Sequence, residues 1–238
     1  MFYFGGIKDD KKEIFKRYIL LVAGLFFSAL GVAVTKSGEL GVSPISSVAN
    51  VLSCKFTAFS QGTWLIIWNC VLIVGQIVIL RKKFKPVQLL QIPLSFLFGY
   101  FTDFGTWCVS FVPVNNYPAR IIAMLAGTVI LGFGISLSVM ANVIMNSGEA
   151  FVKAVSDSAH KNFGNVKIIF DISCVIVAIV LSLVFFDFKI IGTREGTVIA
   201  ACCTGMVVKL FSKCLQNPVS CFLSGNVSKK AREEVKRA

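Results

Sequence analysis

The chain is short of acid and of charge altogether. Of 238 residues only 12 are Asp or Glu, and charged residues of both signs make up 15%, well under the roughly one quarter usual in water-soluble domains. An ordinary soluble globule is therefore excluded. A disordered chain is excluded too, because 55% of the residues are hydrophobic and 22 are Phe. Histidine is nearly missing, with His160 the single copy. No pair among Cys54, Cys70, Cys108, Cys174, Cys202, Cys203, Cys214 and Cys221 has CxxC spacing, so no zinc site is expected. The thiols lie mostly in apolar runs and read as small hydrophobes. Glycine-rich phosphate loops, HExxH and GxSxG are absent as well. The expectation is a protein with no catalytic residues, no metal and no cofactor.

What charge there is sits at the ends. Residues 1–17 hold eight charges and residues 229–238 hold seven, leaving 21 for the 211 residues between. Long uncharged stretches follow: 18–35, 56–80 and 86–102 (running on to about Val112), then 121–148, 168–186 with only Asp171, and 196–212 with only Lys209. At about 20 apolar residues per crossing, these are six transmembrane helices. Helices are the natural form, since a backbone in lipid must satisfy its own hydrogen bonds and period-2 alternation suited to a barrel is absent. No short apolar core with a small-residue cleavage site precedes the first span, which is read as uncleaved.

The basic excess has three usual causes: nucleic acid, anionic lipid and topology. Nucleic acid asks for a basic face on a soluble domain. Here Lys and Arg flank the apolar runs instead. With the N-terminus placed inside, inner segments collect 19 of the 24 basic residues and outer segments five, namely Lys36, Lys55, Arg120, Lys189 and Arg194. The asymmetry puts both termini in the cytoplasm, and makes the lipid bilayer, not nucleic acid, the partner.

Two connections carry more than a loop. After the first span comes Gly41-Val42-Ser43-Pro44-Ile45, with Ser at an N-cap and Pro at the first helical position. The helix it opens lines up Ser43, Ser46, Ser47, Asn50 and Ser53 on one face and Ile45, Val48, Val51 and Leu52 on the other. After the fourth span Asn146-Ser147-Gly148-Glu149 opens a second such helix, aligning Glu149, Lys153, Ser156, Asp157 and His160. The order span, capped helix, span, span thus occurs twice. A shift of 103 residues brings Ala23-Gly24 onto Ala126-Gly127, Gly31 onto Gly134 and Ser53 onto Ser156; a shift of 102 brings Asn69 onto Asp171; a shift of 106 brings Gly99 onto Gly205. Three spans per unit makes the two units run in opposite directions, an arrangement common in secondary transporters. The expected architecture is all-α, an inverted 3+3 repeat with two amphipathic or re-entrant helices. Its segments are 1–17, a first repeat over 18–112, a second over 118–215 and a basic tail over 216–238.

Three motifs in order, Gly41-Val42-Ser43-Pro44-Ile45, Gly99-Tyr100-Phe101-Thr102-Asp103 and Gly192-Thr193-Arg194-Glu195-Gly196-Thr197, resemble the YczE/YyaS/YitT family of bacterial integral membrane proteins, closest to its YczE branch. The likeness covers roughly residues 15–215. It implies a polytopic bacterial inner-membrane protein and assigns no catalytic residue.

The candidate site residues are the polar groups that topology leaves unused. An acid at the depth of Asp103 is costly unless paired or wet; its alternatives are a carrier of a coupling cation, a helix cap, or a partner for Arg120. Asp171 has Lys167 four residues before it and a helix N-terminus at hand, while Asn69 can join helices by hydrogen bonding. The capped helix starts offer free N–H groups to an anion if they dip into the bilayer and ordinary caps if they lie at its surface, and Glu149 can complete a capping box with Asn146. The leading reading is a small-solute transporter or permease whose solute lies between Ser43, Ser46, Ser47, Asn50, Asn69, Asp103, Ser147, Glu149, Asp171 and Arg194. The alternatives are a substrate-binding subunit that docks an ATPase partner through the small residues Ala29 to Ala33, and a non-transporting accessory protein. A homo-oligomer fits any of these.

Overall fold

The computed structural model describes residues 11–114, 116–192 and 195–224. Eight α-helices follow one another: α1 (Lys11–Ser37), α2 (Pro44–Lys55), α3 (Gln61–Leu80), α4 (Gln91–Val109), α5 (Tyr117–Ala141), α6 (Ser147–Ala159), α7 (Phe163–Phe185) and α8 (Glu195–Ser224). Two short 3-10 turns, Arg81–Lys83 and Pro86–Leu90, join α3 to α4. No strand occurs among the described residues. Local chemistry sets the boundaries. Ser60 caps α3 by accepting a hydrogen bond from Thr63 N, Asn162 caps α7 through Gly164 N, and Asn142 ends α5 in the left-handed conformation that Asn tolerates.

Among the described residues five helices are long and apolar enough to cross a membrane: α1, α3, α5, α7, and α8 over Ile199–Leu223. The sequence predicts six. The sixth falls on α4, whose 19 residues include Gln91, Ser95, Thr102, Asp103 and Thr106. That polarity keeps α4 out of the apolar set, and the structure shows where it goes: Gln91, Ser95 and Thr102 are buried against other helices. Helix α8 runs unbroken through Pro218 to Ser224. Residues 225–238, Thr193 and Arg194 lie outside the described residues.

The centre of the bundle is the antiparallel contact of α1 with α5. Glycines bring the two backbones together. A Cβ at Gly134 would stand 2.3 Å from Ser28 N, one at Gly31 would stand 2.4 Å from Leu131 N, and those at Gly24 and Gly127 would meet Ser138 N and Thr35 N at 2.7 and 2.6 Å. Shifting the contact of Gly24 with Gly134 by 103 residues gives that of Gly127 with Gly31, and both occur. On either side α4 packs on α1 and α8 packs on α5. The two short helices are seated crosswise, α2 on α7 and α6 on α3. At 12 and 13 residues they are about 18–20 Å long and cannot cross some 30 Å of hydrocarbon. The main apolar cluster gathers Leu25, Ala29, Val32, Ala49, Leu65, Phe98 and Leu131, so α2 is held within the core.

The α1–α5 contact predicts opposite outcomes for two glycine changes. Gly134→Val forces a side chain into backbone and is expected to cost about 2 kcal/mol or more. Gly205→Ala meets nothing within 4 Å and is expected to be neutral or to stabilise by up to about 1 kcal/mol. Thermal unfolding of the purified proteins in one mild detergent checks both.

Candidate functional site

The starts of α2 and α6 share one backbone shape. N-cap Ser43 has φ −57°, ψ 149° and N-cap Asn146 has φ −59°, ψ 148°. Asn146 Oδ1 accepts a hydrogen bond from Ser147 N at 2.9 Å. Ser43 makes no such bond to the backbone, and its hydroxyl lies 2.9 Å from that of Ser46. The two helix starts touch through a side chain, where a Cβ on Gly148 would lie 2.9 Å from Ile45 Cδ1. Glycine at this position leaves room for the facing isoleucine.

Beside this meeting point four buried polar side chains form one network. Gln76 of α3 and Gln91 of α4 pair amide to amide: Gln76 Nε2 donates to Gln91 Oε1 at 3.1 Å and Gln91 Nε2 donates to Gln76 Oε1 at 3.2 Å. Gln76 Nε2 also donates to Ser147 O at 3.1 Å. Ser95 Oγ donates to Gln91 O at 2.7 Å and lies 3.1 Å from Ser147 Oγ. All four residues are at most 2% exposed. Against this network lies a cavity of about 10 Å³, bordered by Leu21, Leu25, Gln91, Ser138, Asn146 and Ser147, a volume suited to roughly one water. The Ser138 hydroxyl on its wall is buried with no partner among the described residues.

The predicted residues fall into separate groups. Ser43, Ser46 and Ser147 sit at the meeting helix starts. Ser47 turns back to Pro44 O at 2.6 Å, and Asn50 Nδ2 donates to Gly192 O at 2.7 Å, tying α2 to the α7–α8 connection, while Asn50 Oδ1 has no partner among the described residues. The polar face of α2 is thus buried rather than set against water. Asn69 is buried on α3 without a side-chain hydrogen bond among the described residues. The joining of α3 to α4 and α6 expected of an intramembrane amide belongs to Gln76, seven residues on.

Asp103 tethers the start of α3. Ser60 Oγ donates to Asp103 Oδ2 at 2.5 Å and Gly62 N donates to Asp103 Oδ1 at 2.8 Å, placing an anion at the positive end of a helix. Arg120 pairs instead with Glu39 at 2.9 Å. Lys167 pairs with Asp171 on the same face of α7. Glu149 forms no capping box with Asn146; its carboxylate is within electrostatic reach of that Lys167–Asp171 pair. Burial pushes the Glu149 carboxyl above the ordinary carboxylate range, with Lys167 pulling it down and Asp171 pushing it further up. Arg194 lies outside the described residues. The residues missed by the sequence reading, Gln76, Gln91, Ser95 and Ser138, are uncharged. Their signal was an amide or hydroxyl in a run otherwise apolar, which a search for charge passes over.

Long apolar helices enclosing two short ones and a buried polar centre define an all-helical integral membrane protein. The sequence matches the profile of a family of unknown function, DUF6198, over residues 15–213, and the chain belongs to that family. It is also similar to the uncharacterized membrane protein YczE of Bacillus subtilis (strain 168), 25% identical over 201 residues that cover 84% of this chain and 86% of that protein. This agrees with the branch that the three motifs resemble. No solved structure matches the chain.

Two predictions follow from the buried polar groups. Gln76→Leu or Gln91→Leu alone strands a buried amide and is expected to cost about 1–3 kcal/mol. The double change removes both partners and costs less than the sum, a coupling that a double-mutant cycle in thermal unfolding reads. Glu149→Gln addresses pH. A carboxyl raised by folding binds its proton more tightly in the folded state, so stability falls as pH climbs from the ordinary carboxylate value through the raised one. The Gln variant lacks that fall: its melting temperature matches the parent in acid and exceeds it at neutral pH.

Proposed function

We propose that the protein is a transporter or permease for a small polar or anionic solute in a bacterial inner membrane. The observation that carries this reading is the meeting of two capped helix starts, Ile45 beside Gly148, against the network of Gln76, Gln91, Ser95 and Ser147. Helix starts present unpaired N–H groups and a positive dipole end, and hydroxyls and amides extend that donor set. Short helices that break a crossing at the bilayer midplane are how many transporters hold their solute.

In this reading α4 is the sixth span, its polar side facing the bundle, and α2 and α6 are re-entrant. Helices α1–α4 and α5–α8 are inverted copies. The crosswise seating of the short helices, the matching packing of α4 on α1 and α8 on α5, and the glycine contacts repeated after 103 residues support that symmetry. An even number of spans and the 19-to-5 division of basic residues support two cytoplasmic termini. Both oxygens of Asp103 already accept hydrogen bonds, which favours a tether over a cation carrier. Ala29 and Ala33 are buried within the bundle, so the small-residue stripe is unavailable for docking an ATPase. No enzymatic activity is assigned.

The test places single cysteines at Ser43 and Ser147 in a cysteine-free background. Re-entrant helices give slow labelling at both positions by small impermeant thiol reagents, with protection by a transported solute. In proteoliposomes a panel of small carboxylates and phosphates is screened for flux, and Ser147→Phe is expected to lower the flux of any active solute at least about tenfold. Fast labelling of each position from one side only, with no flux of any solute, would sink the proposal.

A further inference from the structure

The α3–α4 connection concentrates positive charge that no acidic side chain neutralises among the described residues. Arg81, Lys82, Lys83 and Lys85 are all exposed, no acid lies between them and Gln91, and no side chain of the four has an ion pair or hydrogen bond among the described residues. Lys161, Lys189, Lys209 and Lys213 also lack such a partner, but none of them stands in a cluster of four, and several other cations are engaged. Lys16 donates to Phe222 O, Arg17 holds Glu13 and Ala141 O, Lys153 holds Asp157, and Lys167 holds Asp171. Val87, Leu89 and Leu90 stand exposed beside the four clustered cations, so the connection is cationic and apolar at once, the composition of a segment lying on a bilayer surface.

The two helices joined by this connection enclose a groove of about 690 Å³, walled by Ile67, Val71 and Val74 of α3 and by Phe96 and Tyr100 of α4. It begins at Thr63 and Asp103, where Gly62 and Gly99 bring the helices together, and it runs towards the basic connection. Val74 lies seven residues, about 10 Å of helix, from Arg81, so the near end of the groove at Val71–Val74 falls within the depth of one leaflet, half of about 30 Å, below a headgroup on the connection. Exposed Ile77 and Val78 carry the apolar line on to Arg81.

We propose that the α3–α4 hairpin holds one anionic phospholipid, its phosphate on Arg81–Lys85 and an acyl chain in the groove between Val71–Val74 and Phe96–Tyr100. Charge and shape both select this occupant. A zwitterionic lipid fits the groove but gains less from four cations, and free phosphate gains from the cations but leaves the groove empty. The inference stands independently of transport.

Native mass spectrometry of the full-length protein in mild detergent, mixed with phosphatidylglycerol or phosphatidylcholine of identical chains, tests it. The expected result is saturable retention of one phosphatidylglycerol, preferred at least about tenfold over phosphatidylcholine. Replacing Arg81, Lys82, Lys83 and Lys85 together by Gln removes the preference. Val71→Trp fills the groove from its open side and lowers retention with the cations intact, while leaving unfolding in lipid-free detergent unchanged. If the fourfold variant does not fold, raising salt to about 0.5 M abolishes the preference in the parent instead. Equal retention of both lipids, retention that never saturates, competition by inorganic phosphate alone at the same concentration, or a dimer that excludes lipid would each overturn the proposal.

Discussion

Direct contact between two helix backbones organises this protein. Gly24, Gly31, Gly127 and Gly134 let α1 and α5 approach until nothing but main chain separates them. In lipid, where apolar side chains gain little by leaving their solvent, such close approach is a main source of helix association. The positions of the remaining long helices refer to this pair. α4 leans on α1 and α8 on α5, and the apolar cluster around Ala29 and Leu131 forms where they converge. A thicker α1–α5 seam would move both flanking helices outward and loosen the space in which α2 and α6 are held.

That enclosure explains how so much polarity is tolerated inside. Ser47 and Ser53 return their hydroxyls to the carbonyls of their own helix, which removes donors without needing a neighbour. Gln76 and Gln91 neutralise each other's amides in a closed pair. Asp103 is met by a hydroxyl and a main-chain N–H. What stays unsatisfied is confined to a few atoms, including Ser138 Oγ beside the small cavity and both ends of the Gln61 amide. In an interior of low dielectric such groups are expensive.

Much of this was legible in the sequence. Uncharged runs located the long helices, because lipid imposes length and apolarity together. Ser43-Pro44 and Asn146-Ser147 announced the short helices, because a cap must supply the hydrogen bonds a helix start lacks. The reading ran out where tertiary partners decide. Residues 86–102 read as a span, and the burial of Gln91, Ser95 and Thr102 against other helices is visible only in the structure. Asp103 and Arg120 invite pairing by charge alone, yet Arg120 lies near Glu39 and Asp103 near the start of α3. Gln76 was passed over because an amide carries no charge, although in the absence of water it bonds as insistently as an ion pair.

The crosswise seating of the short helices has a consequence in time. α2 is made early, yet it rests on α7, and α3 finds its neighbour α6 only after α5 has been laid down. Each short helix finds part of its seat in its own half, α2 on α3 and α6 on α7, and the larger part in the other half. Until α7 is made, α2 has only part of its seat, and Asn50 lacks the Gly192 carbonyl that it later reaches. The packing of both halves is therefore complete only once the seventh helix is present.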